Sequence, residues 1–313
     1  MRNILITGGA GFIGSALAER LISDPDNYVV IVDDLSTGRV EKLPNLPETN
    51  WKFIRCDVNK YKDIAEVMFS NKFEYVFHYA AVVGVKRTLA NPIKVLKDVE
   101  GIKNILDLSK NTGVKRVFYS SSSEVYGEPV EFPQNEQTTP LNSRLPYAIV
   151  KTLGGAYLRA YQQEYGLDFT VFRFFNTYGP KQSRDFVISR FLINAMINKD
   201  ITIYGDGMQS RTFCYIDDNV EACVKALYKG KYVNDIINVG SDKETNILEL
   251  ANLIIKLTKS KSKIIHVPPL EEGDMKRRLP DISKMRTLLS GELITLEKGL
   301  MKILDNGLFE LNY

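Results

Sequence analysis

Cysteine and histidine are scarce in this 313-residue chain: three cysteines (Cys56, Cys214, Cys223) and two histidines (His78, His266). An odd cysteine count with no CxxC spacing supports neither a disulfide framework nor a zinc site. Two histidines are too few for a histidine-rich metal centre, so no metal is expected. Net charge is nearly absent too, since 41 Lys and Arg against 38 Asp and Glu leave +3. That balance gives no reason to expect nucleic acid or a membrane surface as partner. No apolar run is long enough to span a bilayer. The N-terminus has one Arg and then reads straight into a strand, without the apolar core and cleavage site of a secretion signal. A soluble, cytoplasmic protein is expected. Repeats and low-complexity tracts are also missing. What remains is an ordinary globular balance of 44% hydrophobic and 25% charged residues. The length suits one large α/β domain, or one domain plus a smaller lobe.

The first half alternates strand and helix patterns. Apolar runs at Arg2–Thr7, Tyr28–Val32, Trp51–Cys56, Glu74–His78, Arg116–Ser120 and Asp168–Phe174 read as strands buried on both faces. Between them, helical spacing begins at Phe12, covers Lys60–Ser70, and runs from Asn91 to about Thr112, where Gly113 ends it. A further helix spans Pro146–Tyr165, with Pro in its first turn and Gly166 after its end. This alternation predicts an α/β fold built on a doubly wound parallel sheet of Rossmann type. After Asn176 the pattern loosens into helices at Phe186–Asn198, Asp217–Lys229, Asn246–Leu257 and Thr295–Ile303, with short strands at Ile201–Tyr204 and Ile236–Val239. The expected division is a dinucleotide-binding domain over 1–175, to which 212–240 returns, and a smaller discontinuous C-terminal substrate lobe from 176–211 and 241–313. Leu43–Asn50 and Gly127–Leu145 read as flexible loops.

Gly8-Gly9-Ala10-Gly11-Phe12-Ile13-Gly14 places GxxGxxG between a strand and a helix, and Asp33 closes the second strand. Glycines let backbone amides approach a pyrophosphate at the positive end of a helix. An acid in the Asp33 position accepts from ribose hydroxyls and repels a 2′-phosphate, which favours NAD over NADP. Arg39 lies close enough to leave NADP open. Tyr147 and Lys151 stand at i and i+4 on one helix face. An ammonium beside a phenol is expected to lower its pKa and make Tyr147 a usable acid/base. Ser120-Ser121-Ser122-Ser123 ends the fifth strand, on the side of the sheet that borders the ligand crevice. A tyrosine–lysine pair, or a serine run, is in isolation only a helix face or a loop. Their placement after a dinucleotide motif carries the inference.

Taken together, these segments resemble the extended short-chain dehydrogenase/reductase family, the NAD-dependent nucleotide-sugar epimerases, dehydratases and decarboxylases. The resemblance spans essentially the whole chain: TGGAGFIGS (7–15), VDDLSTG (32–38), HYAA (78–81), SSSSEVYG (120–127), YAIVK (147–151), FRFFNTYGP (172–180), YGDGMQSRTFCYIDD (204–218) and GDMKRRLPDISK (273–284). It implies that Gly8, Gly11 and Gly14, with Phe12 and Ile13, hold the pyrophosphate of NAD. Asp33 then meets the adenosine ribose, Asp57 and Val58 the adenine, and Ala80 and Ala81 the nicotinamide side. Ser122, Tyr147 and Lys151 become the catalytic set, with Lys151 also on the nicotinamide ribose. Asn176 and Arg211 become ligands of the sugar-nucleotide diphosphate, with UDP the expected nucleotide. For His78, packing against the glycine loop is preferred to catalysis. The implied chemistry starts with proton loss from the hydroxyl on sugar carbon 4 to Tyr147, which leads to a 4-keto sugar.

Within that family, Ser123-Glu124 stands where 4,6-dehydratases usually carry Asp-Glu. SEVYG, Arg144 and Arg278 resemble the UDP-glucuronate decarboxylases instead, with both arginines on the sugar carboxylate and Glu124 on the ring or a proton-carrying water. The alternatives are an NDP-hexose 4-epimerase, favoured by YAIVK, then a 4,6-dehydratase, and in a different class a dinucleotide sensor without chemistry. Arg144 and Arg278 as plain surface or phosphate charges, and Glu124 as an arginine's structural partner, also stay open. Apolar residues beyond one face of the Asn91–Thr112 and Pro146–Tyr165 helices, Leu96, Val99, Leu153 and Tyr157 among them, suggest a homodimer through a four-helix interface.

Overall fold

The computed structural model describes residues 1–47, 49–269 and 275–307. Thirteen strands and eleven helices lie in these residues. In chain order the strands are β1 (Arg2–Thr7), β2 (Asn27–Asp33), β3 (Trp51–Arg55), β4 (Tyr75–His78), β5 (Arg116–Ser122), β6 (Asp168–Phe174), β7 (Thr177–Tyr178), β8 (Ile201–Tyr204), β9 (Ser210–Thr212), β10 (Cys214–Tyr215), β11 (Asp235–Val239), β12 (Glu244–Asn246) and β13 (Ile264–Val267). The helices are α1 (Phe12–Ile22), α2 (Tyr61–Ser70), α3 (Val85–Ala90), α4 (Pro92–Leu96), α5 (Asp98–Thr112), α6 (Pro146–Tyr165), α7 (Val187–Met196), α8 (Ile216–Tyr228), α9 (Ile247–Thr258), α10 (Ser283–Leu288) and α11 (Leu296–Asn306). Gly273 and Asp274 of the GDMKRRLPDISK segment, and Glu48 of the Leu43–Asn50 segment, fall outside the described residues.

Seven strands form one sheet in the order β11-β6-β5-β4-β1-β2-β3, and every neighbouring pair is parallel. Side-chain alternation explains why the strands read as continuous apolar runs. Ile4, Ile6, Val29, Ile31, Phe77 and Phe118 pack on one face with α1 and α8, while Leu5, Val30, Val32, Val76 and Val117 pack on the other with α2, α5 and α6. Both faces are therefore core, as a parallel sheet requires. Strand order reverses between β1 and β4, so a crevice opens at their carboxyl ends, beyond Thr7 and His78. The three remaining sheets are two-stranded pairs, β10-β7, β12-β9 and β13-β8, and all lie after Asn176.

Three expectations change. The single helix over Asn91–Thr112 is two helices that meet at Lys97, where the Glu100 amide bonds the Lys97 carbonyl in a tighter turn. At that joint the Asp98 carboxylate accepts the Val82 amide at 2.7 Å, which ties the start of α5 to the chain leaving β4. A short additional helix, α3, precedes them. The 127–145 segment is not a free loop. Gln134 is fully buried and its amide bonds the Leu279 carbonyl at 2.7 Å, while Glu136 accepts the Asn238 amide at 2.8 Å.

Candidate active site

One cavity of about 760 Å³ runs along the carboxyl ends of the sheet and collects most of the residues singled out by the sequence. Its first part is built by the glycine turn. Gly8 has φ +70°, and a Cβ there would lie 2.6 Å from the Ala80 nitrogen. A Cβ on Gly14 would lie 2.3 Å from the Gly8 oxygen. Only glycine lets the turn, the strand after β4 and α1 meet this closely. The N-cap of α1, Gly11, offers no side-chain cap, so the first amides of the helix stay open to an anion at the cavity. Asp33 Oδ2 accepts the Ala10 amide at 3.0 Å and Oδ1 the Leu35 amide at 2.9 Å. Each oxygen keeps a lone pair for a ribose hydroxyl. Burial pushes this carboxyl up, against the pull of the two amides. Phe12, Ile13, Asp57, Val58, Ala80 and Ala81 line the same cavity. The bare helix end, the glycine cradle and the acid at the end of β2 fit NAD.

His78 supports this turn from behind. Its Nδ1 meets the Thr7 hydroxyl at 2.8 Å, and that oxygen accepts the Tyr79 and Ala80 amides, both at 3.1 Å. Burial drives the imidazole down to about 3, with the Lys151 charge adding to the effect. His78 is thus a neutral packing residue.

The catalytic set sits where β5 ends against α6. Lys151 is 3% exposed and donates to the Ser120 carbonyl at 2.6 Å and the Ser120 hydroxyl at 3.3 Å. Its ammonium lies 5.8 Å from the Tyr147 ring centroid. Burial lowers Lys151 to about 8, and Asp98 opposes that shift. The expected lowering of Tyr147 is not found. Burial raises its phenol above the ordinary tyrosine value and Glu124 adds to the rise, whereas a hydrogen bond from Ser122 pulls the other way. The Lys151 ammonium is bonded to Ser120 and not to the phenol. Ser122 Oγ also accepts the Glu124 amide at 3.2 Å, which caps the 3₁₀ turn over Ser123–Tyr126.

Glu124 and Arg278 come from sequence positions 154 residues apart and meet at 2.7 Å, both nearly buried. Arg278 Nη1 also reaches the Ser123 hydroxyl at 3.3 Å. Glu124 Oε2 and Arg278 Nε are buried without a partner among the described residues. All three side chains line the cavity. Asn176 also lines the cavity, in a left-handed conformation (φ +33°) with its amide on the Thr212 carbonyl at 3.0 Å. Such backbone strain concentrates at functional sites.

Two residues named from the sequence lie outside this lining. Arg211 is buried in β9, donates to the Ser210 carbonyl at 2.7 Å and does not line the cavity. Arg144 is exposed just before α6 and is likewise absent from the lining, because Pro146 starts the helix and turns Leu145 inward instead. Asp98, Asn59 and Ser120 are wall residues that sequence reasoning missed as site residues. Asp98 carried no signal, since the sequence pattern places it inside a helix that starts at Asn91. Ser120 was hidden within a serine run.

Comparison with known proteins follows this geometry. The pattern of the NAD dependent epimerase/dehydratase family matches residues 4–240. A UDP-N-acetyl-alpha-D-glucosaminuronate decarboxylase of Bacillus cytotoxicus is 37% identical over 302 residues, covering 92% of this chain and 91% of that protein. UDP-glucuronic acid decarboxylase 1 of Danio rerio is 34% identical over 313 residues, covering 97% of this chain and 72% of its own length. The crystal structure of a UDP-glucose 4-epimerase of Thermotoga maritima superposes with a TM-score of 0.89 at 33% identity, covering 95% of this chain and 96% of that one. The chain therefore belongs to the NAD-dependent epimerase/dehydratase family. NAD is its cofactor, and it is an enzyme of the nucleotide-sugar branch of the short-chain dehydrogenase/reductases.

Proposed function

We propose that this enzyme decarboxylates a UDP-linked uronic acid, UDP-glucuronate first, through a 4-keto sugar. The observation that carries this reading is the buried Glu124–Arg278 pair, joined by Ser123, on the cavity wall. Bound NAD supplies the acceptor and later the donor of a hydride at sugar carbon 4. The protein's own residues handle protons and charge. Ser122 has spent an acceptor position on the Glu124 amide and gives its hydroxyl proton to the Tyr147 oxygen, so it holds the phenol in place for the reacting hydroxyl. Tyr147 takes the proton from that hydroxyl. Lys151, held by Ser120, keeps positive charge beneath the phenolate as it forms. The resulting ketone is β to the sugar carboxylate, and carbon dioxide leaves readily from such an acid. The Arg278 guanidinium, on the cavity wall, places the carboxylate. Glu124, on the same wall, orders the water that returns a proton to the enolate.

In this proposal the cofactor lies on 1–175 with 212–240, and the sugar nucleotide is held by 176–211 and 241–313, Asn176 among them. The enzyme works as a cytoplasmic homodimer. Three free, buried cysteines are consistent with a reducing compartment.

The second reading is an NDP-hexose 4-epimerase. It is favoured by the YAIVK segment and by the likeness to a solved UDP-glucose 4-epimerase. Incubation with UDP-glucuronate, UDP-glucose and UDP-N-acetylglucosamine, read by product mass, separates the two. Loss of carbon dioxide from the first is expected. An isomer of unchanged mass replaces this reading with the epimerase, and loss of water with a dehydratase.

A further inference from the structure

Arg278 sits in a segment with no regular structure of its own. Residues 275–282 form neither helix nor strand, and a single bridge pairs Pro280 with Gln134. Yet the Arg278 side chain is 6% exposed and meets Glu124 at 2.7 Å and Ser123 at 3.3 Å. A long, flexible side chain on irregular backbone settles in one place only when that backbone is itself held. The hold comes from the 127–145 segment.

Gln134 is fully buried. Its side-chain Oε1 accepts the Leu279 amide at 3.2 Å, and that amide belongs to the peptide unit joining Arg278 to Leu279. Its own amide donates to the Leu279 carbonyl at 2.7 Å, and its carbonyl accepts the Asp281 amide at 2.8 Å. Gln134 thus holds the first peptide unit after Arg278 through its side chain and the next two through its backbone. The Gln134 carbonyl also accepts the Asn238 side-chain amide of β11 at 2.9 Å. Asn238 in turn accepts the Tyr126 hydroxyl at 2.8 Å. Tyr126 ends the 3₁₀ turn that carries Ser123 and Glu124. The circuit from the Arg278 backbone through Gln134, Asn238 and Tyr126 therefore closes on the partners of the Arg278 guanidinium. On the other side of Arg278, Arg277 stacks 4.4 Å from the Phe132 ring centroid and pairs with Glu244 at 2.7 Å. The Gln134 side-chain nitrogen is buried without a partner among the described residues. A buried donor left unmet costs stability, so stability alone does not account for a glutamine here.

We propose that Gln134 is a positioning residue for recognition of the sugar carboxylate: its Oε1 fixes the peptide unit beside Arg278 and so sets the guanidinium against Glu124, Ser123 and the cavity wall. The order in the 127–145 segment gains a purpose, since it carries this contact from the sheet to the site. The proposal rests on the functional reading only in giving Arg278 a carboxylate to hold.

The test is Gln134→Met in the NAD-loaded protein, which keeps side-chain length and bulk and removes the acceptor. Gln134→Glu returns an oxygen acceptor and serves as the rescue. Should the methionine variant not fold, Gln134→Asn draws the acceptor back by one methylene and takes its place. Phenylglyoxal labelling of Arg278 is read by peptide mass with no sugar present, and Arg116, buried in β5, is the internal control. Labelling of Arg278 should rise about fivefold on loss of the one bond, fall back in the glutamate variant and stay unchanged at Arg116. Calorimetry in a Tyr147→Phe background, where turnover is suppressed, then compares UDP-glucuronate with UDP-glucose. Affinity for the uronate should fall about fivefold, while affinity for UDP-glucose holds. Unchanged labelling of Arg278, or an equal rise at Arg116, overturns the proposal, as does an equal loss of both ligands. A rise confined to Arg278, with both sugars bound alike before and after the change, upholds the placement of Arg278 and counts against the functional reading.

Discussion

Tyr147 and Lys151 are driven in opposite directions by the same burial. The phenol is harder to ionise and the ammonium easier to lose, so burial works against the phenolate–ammonium pair that the reaction needs. A distinctive pH behaviour follows. Turnover needs the ammonium, so it should decline as pH rises through about 8. Stability should do the reverse. The unfolded lysine titrates near 10.5 and the folded one near 8, so between these values the unfolded chain binds more protons and stability from this group rises with pH. Parallel pH series of turnover and of urea midpoint check this; a common decline of both above pH 8 would refute it. The Glu124–Arg278 pair is another residue-scale commitment. Arg278→Ala leaves a buried carboxylate unpaired and should cost about 3–5 kcal/mol of stability, readable in denaturant, whereas Arg278→Lys keeps the charge but loses the fork geometry. The sequence named these two residues separately; it could not show that they bind each other, because 154 positions separate them.

At the scale of elements, the sheet was legible because its inner strands are buried on both faces and therefore write apolar runs. The α6 helix announced itself through Pro146 and Gly166. What stayed hidden was set by tertiary contacts. The α4–α5 break depends on Asp98 finding the Val82 amide. The order in 127–145 depends on Gln134 bonding Leu279, and Glu136 bonding Asn238 across the chain. Strands as short as β7 and β10, two residues each, have no periodicity to detect. Helix α6 and strand β5 also carry a packing constraint. A Cβ on Gly154 would lie 2.4 Å from the buried Tyr119 hydroxyl. Gly154→Ala should therefore destabilise the protein by about 1–3 kcal/mol, despite the better helix propensity of alanine. A thermal melt shows it, and an unchanged or higher Tm would mean that this contact yields freely.

Across the whole molecule, one cavity joins residues from both ends of the chain, from Gly8 to Arg278. Surface chemistry is uneven around it. Of the two apolar stripes singled out in the sequence, Val95, Ile102, Ile105 and Leu106 pack inside, whereas Leu96 (44%), Leu153 (38%) and, beside them, Ile93 (69%) and Ile149 (46%) stay exposed on α4 and α6. The sequence could not sort inner from outer members, since both share helical spacing. Exposed apolar residues on two adjacent helices fit a self-complementary dimer face. Sedimentation should find a dimer, and Leu153→Glu should shift it toward monomer; a native monomer at micromolar concentration would exclude this face. No helix among the described residues is long and apolar enough to cross a membrane. The account as a whole turns on the phenol at the head of α6. Turnover of UDP-glucuronate by NAD-loaded Tyr147→Phe tests it most directly: a loss of at least about a hundredfold with unchanged NAD content is expected, and turnover near that of the native protein would contradict it.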